Sequence, residues 1–267
     1  VYLDSIRLLY DKLDNSNEKA FRDSIHDQIN KYSLKAGKYV IPNEIDKLLD
    51  AMGAKKINAF TGYEQNAYFN RFPAEETEKW LKLYAHRFQN PVFRLFQSEL
   101  ETVYEEKNMY MDQFESVVIE EFFKHFYPEH PYGQNPILGK TEHIKNPSLT
   151  KMTEYYNKYY RAGNMALILS GNFDPDRVKD WIEEYFSKLP DGRPEDISLE
   201  KPAEISGRKV VTKRLTPVRA ALIAFRTVPY DHPDKLKIDV FHNLLTNNNQ
   251  TGMLDKLGQN NDLLYSL

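Results

Sequence analysis

The chain has 267 residues, a formal net charge of −3, 41% apolar and 28% charged residues, and no Cys. That is enough for one large or two medium domains around a sizeable core, with the composition of a globular protein. The charge gives no electrostatic reason to expect nucleic acid or an anionic membrane as partner, no apolar run reaches transmembrane length, and the lack of Cys removes disulfides, thiolate metal sites and Cys nucleophiles. The chain opens on Val1 and closes on Leu264-Tyr-Ser-Leu267 just after an apolar run has begun. The expectation is a segment of a longer protein.

In chain order, Leu3, Ile6, Leu9 and Leu13 form one helical stripe, and Phe21, Ile25, Ile29 and Tyr32 form a second after the break at Asp14-Asn-Ser-Asn17, on what is expected to be a charged, solvent-facing helical pair. Ile41-Pro-Asn43 ends one element and caps the next, a short helix with Ile45, Leu48, Leu49 and Met52 that stops at Gly53. Residues 55–61 and 65–72 read as two strands around Gly62. Polar Asn58 and Thr61 beside apolar neighbours suit an ordinary hairpin, or an edge strand able to accept an added peptide strand. Pro73-Ala-Glu-Glu76 opens a helix with Trp80, Leu83, Tyr84 and Phe88 that closes at Asn90-Pro91.

The next helix carries Phe96, Leu100, Val103, Tyr110 and Phe114 at helical spacing and is expected to run on through Val117, Phe122 and Phe123. Glu99 and Glu106 lie seven residues apart on it. At about 100° per residue they point almost the same way, roughly 10 Å apart. A carboxylate at the edge of an apolar face is costly unless a cation or donor meets it. With Glu101 and Glu105 nearby, the stretch also reads as an ordinary solvated acidic face.

His125-Phe-Tyr-Pro-Glu-His-Pro-Tyr-Gly133 is a turn-rich loop and not a zinc-binding helix. Its two His are five residues apart and Pro128 interrupts any helix between them. A helix over 148–160 with Met152, Tyr156 and Tyr159 follows, then a buried strand at 165–171 and a helix opened by Asp174-Pro175 with Val178, Trp181, Ile182, Tyr185 and Phe186. The stretch 190–207 is a connecting loop. Strands are expected at 209–215 and 220–227, then a helix with Ile238, Phe241, Leu244 and Leu245, a polar loop at 247–252, and a short element with Leu254 and Leu257. Helices and antiparallel-compatible strand pairs alternate in blocks, which predicts an α+β fold, a mainly antiparallel sheet of the five strands with helices on one face.

Four blocks carry a resemblance. Asn58-Ala-Phe-Thr61, Glu99-x-x-x-Val103-x-x-Glu106, His130-Pro-Tyr-Gly133 with Gly139, and Asn164 to Asp174 resemble, in order and spacing, successive blocks of the pitrilysin/insulinase family of zinc peptidases. Arg226-Thr-Val-Pro-Tyr-Asp-His-Pro233 also matches, so the resemblance runs from Lys38 onward. The early paired helices with Tyr39-Val-Ile-Pro-Asn-Glu44 are most similar to large bacterial members.

The resemblance implies a catalytic Zn²⁺ held by two His of an inverted His-x-x-Glu-His motif, whose Glu is the general base, with Glu106 as third ligand. Glu99 would support a zinc-binding His from behind. Such an ion, with an open fourth position, lowers the pKa of a bound water and polarises the scissile carbonyl. Asn58, Ala59 and Phe60 would form the edge on which a peptide docks as an added strand. No His-x-x-Glu-His occurs in the 267 residues. It is expected upstream of Val1, so the segment is expected to be inactive and without zinc by itself. The division implied is an N-terminal part of the peptidase unit over 1–145 and a second part over 146–267. The partners implied are a peptide or unfolded polypeptide and a second homologous domain or subunit closing the chamber, with a periplasmic location by resemblance alone. The alternative is a non-catalytic partner or scaffold that binds peptide without cleaving it; the Glu99/Glu106 pair favours the enzyme.

Overall fold

Ile6, Leu9, Tyr10 and Leu13 recur on one side of the first helix, α1 (Tyr2–Leu13), and all four are buried. They meet Ile25 and Ile29 of α2 (Lys19–Gly37), so the two stripes close on each other as an antiparallel pair. The computed structural model describes residues 1–13, 18–214 and 221–256. These fall into two compact units, 1–203 and 204–267.

The first unit has two cores. The first joins α1 and α2 to Leu149 of α9 (Leu149–Tyr159), with Phe93 and Phe96 packed at its margin. The second lies beneath a hairpin of β1 (Lys55–Thr61) and β2 (Asn66–Arg71). It is built from Leu49 of α3 (Glu44–Ala51), Trp80, Leu81 and Tyr84 of α4 (Thr77–Gln89), and Val178 of α10 (Pro175–Phe186). Between α4 and α9 in sequence come α5 (Phe96–Met111), α6 (Phe114–Phe126), α7 (Pro131–Gln134) and α8 (Thr141–Lys145).

The termini of these elements follow local chemistry. Asp174 starts α10 by accepting from the N–H groups of Asp176 at 3.0 Å and Arg177 at 3.3 Å. Asn43 stands at the N-cap of α3 but makes no side-chain cap bond; it supplies the left-handed turn instead, with φ 53°. At the other end of α3, Gly53 has φ +76°, its N–H reaches the Asp50 carbonyl, and Ala54 N–H reaches that of Leu49 at 2.9 Å. This is the paired bonding of a helix ended by a left-handed glycine. Gly53→Ala is expected to cost about 1 kcal/mol, from forcing a Cβ into that conformation. Urea denaturation checks it; an unchanged midpoint would show that the turn relaxes.

The fold is α+β, with helices on one face of an antiparallel sheet. The sheet is smaller than the sequence suggests, for β1 and β2 are the only paired strands among the described residues. The expected strand at 165–171 runs over the second core with Leu169 packed inward and Ile168 85% exposed, but it has no ladder partner there. The described parts of 209–215 and 220–227 are likewise unpaired; 215–220 lie outside the described residues, as does Leu257. Alternation specifies which side faces a core, whereas a strand also needs a neighbour in register. The helix expected to continue through Phe123 breaks instead at Asp112 and Gln113. Gln113 turns extended, with φ −86° and ψ 122°, and α6 folds back on α5.

In the second unit, α11 (Lys235–Leu245) leads into a loop organised by Asp255. This buried carboxylate accepts from Thr246 Oγ1 at 2.9 Å, Asn247 N–H at 3.0 Å and Gly252 N–H at 2.8 Å. A Cβ on Gly252 would lie 2.4 Å from the Leu245 carbonyl oxygen, so the loop accepts only glycine there.

Candidate active site

Positions 96, 100, 103, 107 and 110 of α5 follow a 4-3-4-3 spacing, one side of a helix, and the fourth is Lys107. Phe96 meets Tyr10 edge-on, with ring centroids 5.4 Å apart. Lys107 is 4% exposed at the middle of the stripe, pairs with Glu120 of α6, and lies 5.3 Å from the Tyr110 ring. A buried ammonium needs such a partner, so this pair ties α5 to α6. Tyr10 donates to Gln97, and burial pushes its hydroxyl up to about 12.

Glu99 and Glu106 sit at the edge of the stripe, two turns apart and both exposed, with half-open Val103 between them. Glu101 and Glu105 instead line a groove of about 730 Å³ on the opposite side of α5, with His26 and Lys145 across from them. A zinc site with an open position takes three protein ligands. Among the described residues no cluster of three or more His, Cys, Asp or Glu could hold a metal ion. Glu106 offers one carboxylate, so these residues do not fit a complete zinc site.

The second element is β1. Gly62 N–H donates to the Gln65 carbonyl at 2.8 Å, and Phe60 pairs with Ala67, Ala59 with Tyr68, and Thr61 with Asn66. Bonded and non-bonded pairs alternate along an antiparallel ladder, so the N–H and C=O of Ala59 and Thr61 turn away from β2. Consistent with this, Ala59 N–H donates to Asn58 Oδ1 at 2.8 Å. No other strand covers that edge among the described residues. Phe60 and Phe69 are half exposed on the outer face, ring centroids 6.3 Å apart. Ile57, Tyr68 and Phe72 pack inward. The bulge between Lys55 and Asn58, with Lys56 at φ 53°, sets this register at the base.

The structure thus places Glu99 with Glu106 on one exposed face and Asn58, Ala59 and Phe60 together on one open edge. It joins neither carboxylate to that edge by a hydrogen bond. Sequence reasoning missed Lys107, although its position in the 4-3-4-3 spacing signals it. It also missed the cluster at the hairpin tip, where Tyr132 Oη donates to Glu64 Oε1 at 2.6 Å and Tyr63 Oη to the Tyr132 carbonyl at 3.2 Å. The Glu64 carboxylate raises the Tyr132 hydroxyl to about 12. No local periodicity announces a contact 68 residues long.

Two family models match the chain. One, for the insulinase (peptidase family M16) domain, covers residues 19–140, and the other, for the M16 inactive domain, covers 147–267. The chain belongs to the pitrilysin/insulinase (M16) family. An uncharacterized zinc protease of Rickettsia felis is 26% identical to the M16 chain over 238 residues, 88% of this chain and 57% of the relative. Zinc protease YmxG of Bacillus subtilis is 26% identical over 84% of the chain and 54% of its own length. The β subunit of the mitochondrial-processing peptidase of Neurospora crassa is 25% identical over 72% and 41%. The M16 chain therefore spans about half the length of such bacterial relatives. Among solved structures, the first half of the periplasmic protease PqqL from Escherichia coli matches at TM-score 0.54 and 16% identity, over 61% of this chain and 36% of that one. A protease from Helicobacter pylori matches at TM-score 0.52 and 23% identity, over 60% and 38%. These two likenesses concern the fold alone. No described helix is long and apolar enough to cross a membrane.

Proposed function

We propose that the chain is part of a zinc-dependent metalloendopeptidase that hydrolyses peptides bound as an added β-strand inside a closed chamber. In this reading Glu106 is a zinc ligand, Glu99 holds a zinc-binding His in place, and Asn58, Ala59 and Phe60 are the docking edge. Residues 1–145 and 146–267 are two parts of one peptidase unit, and a second homologous domain or subunit closes the chamber. The zinc protease names of the Rickettsia and Bacillus relatives support the activity. An extracytoplasmic location belongs to the same reading.

The observation that carries the reading is the register of β1. It leaves the backbone groups of Ala59 and Thr61 facing outward on an open edge, where an extended peptide can pair whatever its side chains. The test is cleavage of an unstructured peptide by the full-length protein with and without a metal chelator. Cleavage that stops with chelator and returns with zinc supports the reading; chelator-resistant cleavage, or none, overturns it.

A second reading, a non-catalytic scaffold that holds peptide, is favoured by the description of the 147–267 match as an inactive domain. The exposed Glu99/Glu106 pair weighs against it, because a scaffold needs neither carboxylate. The 267-residue chain alone is expected to retain no stoichiometric zinc after exhaustive dialysis, since one carboxylate is a poor site. Elemental analysis checks this. Zinc held by Glu106 with two His of this chain would show the ligand assignment to be wrong.

A further inference from the structure

We propose that the loop closed by the single helical turn of α7, His130–Gly133, positions the docking edge of β1 by holding the tip of the β1–β2 hairpin, with Tyr132 as the positioning residue. This rests on the reading of β1 as a peptide-docking edge.

The tip residues are Tyr63 and Glu64, between the paired Gly62 and Gln65. Both are engaged by Tyr132. Its hydroxyl donates to Glu64 Oε1 at 2.6 Å, its carbonyl accepts from Tyr63 Oη at 3.2 Å, and the two rings lie 4.5 Å apart at 39°. A hydrogen bond to a carboxylate at that length is of the stronger, charge-assisted kind.

The loop is itself immobilised. His130 Nδ1 accepts from Tyr132 N–H at 3.3 Å, and Asn135 N–H donates to the Pro131 carbonyl at 2.8 Å. A Cβ at Gly133 would lie 2.1 Å from the Tyr127 carbonyl oxygen and 2.6 Å from that of Phe123. The loop is therefore pressed against the end of α6 so closely that only glycine fits, and α6 is fixed to α5 by Lys107 and Glu120.

A two-stranded hairpin is marginal without support. Here the core holds the base through Ile57, Tyr68 and Phe72, and Tyr132 holds the tip. Thr61, whose N–H and C=O face the open edge, is next to Gly62 at that tip. Strand addition needs those groups already in line, because ordering them on binding costs affinity. The loop supplies that order without touching peptide.

The experiment uses Tyr132→Phe, Glu64→Gln, Glu64→Ala and the double variant Tyr132→Phe/Glu64→Ala. The three substitutions lie in the exposed contact between the hairpin tip and Tyr132 of α7. Hydrogen exchange of the β1 and β2 amides is read with and without a synthetic proline-free 12-residue peptide. Without peptide, Tyr132→Phe and Glu64→Ala are each expected to raise exchange near the tip by about five- to tenfold, as for loss of one charge-assisted bond. The double variant is no worse than either single one, and Glu64→Gln, which keeps an acceptor, recovers much of the protection. With peptide, the wild type gains protection at Thr61, and the two damaging variants need several-fold more peptide for it. Unchanged exchange without peptide overturns the role of Tyr132. So does faster exchange with unchanged peptide binding, or additive effects in the double variant. If peptide fails to protect Thr61 in the wild type, the docking-edge reading fails and the positioning role fails with it; altered exchange without peptide then leaves only a structural contact.

Discussion

Glu106→Gln in the full-length protein is expected to abolish stoichiometric zinc and to lower peptide cleavage by more than any neighbouring change. Glu99 and Glu106 share one exposed face of α5, but two turns separate them by roughly 10 Å, so in the proposed site one ion would take only one of them as ligand. Losing a ligand leaves the metal with two protein partners where three are needed. Glu99→Gln is expected to be milder. Freeing a ligating ring to reorient weakens affinity or activity by about 10–100-fold, and added zinc restores part of it. Glu101→Gln and Glu105→Gln are the controls, because those carboxylates open onto the groove on the other side of the helix. Zinc content and cleavage of the four variants decide the matter. If Glu105→Gln strips the metal, or Glu106→Gln keeps full activity, the register assigned to α5 is mistaken.

The largest stability effect is expected at Trp80. Its ring stacks between Phe72 at 4.8 Å and Tyr84 at 4.3 Å, and its Nε1 donates to Asn70 Oδ1 at 2.9 Å. Asn70 in turn donates to the Tyr84 hydroxyl at 2.6 Å. Trp80→Ala opens a cavity at a cost of about 3–5 kcal/mol. It also leaves the half-buried Asn70 amide oxygen without its donor, about 1–3 kcal/mol more. Against a total stability of about 5–15 kcal/mol, that is enough to unfold the core beneath the hairpin. Trp181 packs in the same core and reports its loss by fluorescence during denaturation. Trp80→Phe, which keeps most of the stack, is expected to lose much less. A Trp80→Ala protein with an unchanged unfolding midpoint would mean that Trp80 does not hold this core together.

What could be read from the sequence was what local periodicity encodes. Apart from Phe21, which is exposed at the start of α2, the stripes of α1, α2, α4 and α10 turn the residues their spacing marks toward a core, because a helix presents each turn to the same side. The face shared by Glu99 and Glu106 follows from the same geometry. What could not be read depends on residues far away in the chain. Leu169 and Ile168 alternate as a strand should, yet nothing local says whether a partner lies alongside. Gln113 carries no breaker signature, and its extended turn is set by the return of α6 onto α5. Lys107 stands in the spacing of the α5 stripe, but the partner that lets its charge be buried, Glu120, lies thirteen residues on and is brought against it only by the turn between α5 and α6.

The first core has a bearing on the order in which the chain acquires its structure. Tyr10 is bonded to Gln97, and Asp11 accepts from Thr150 Oγ1 at 2.9 Å, across 139 residues of sequence. Leu149 belongs to the same buried set as Ile6 and Leu9. On a ribosome α1 and α2 emerge long before these partners exist. They wait with their apolar stripe only half covered until α9 has been made, while the more local hairpin and α3 can already assemble. At about 5–20 residues per second, that interval is on the order of ten seconds. During synthesis α1 and α2 thus stay incompletely covered for longer than the locally closed hairpin, and their open stripe is a place where a chaperone can hold the growing chain.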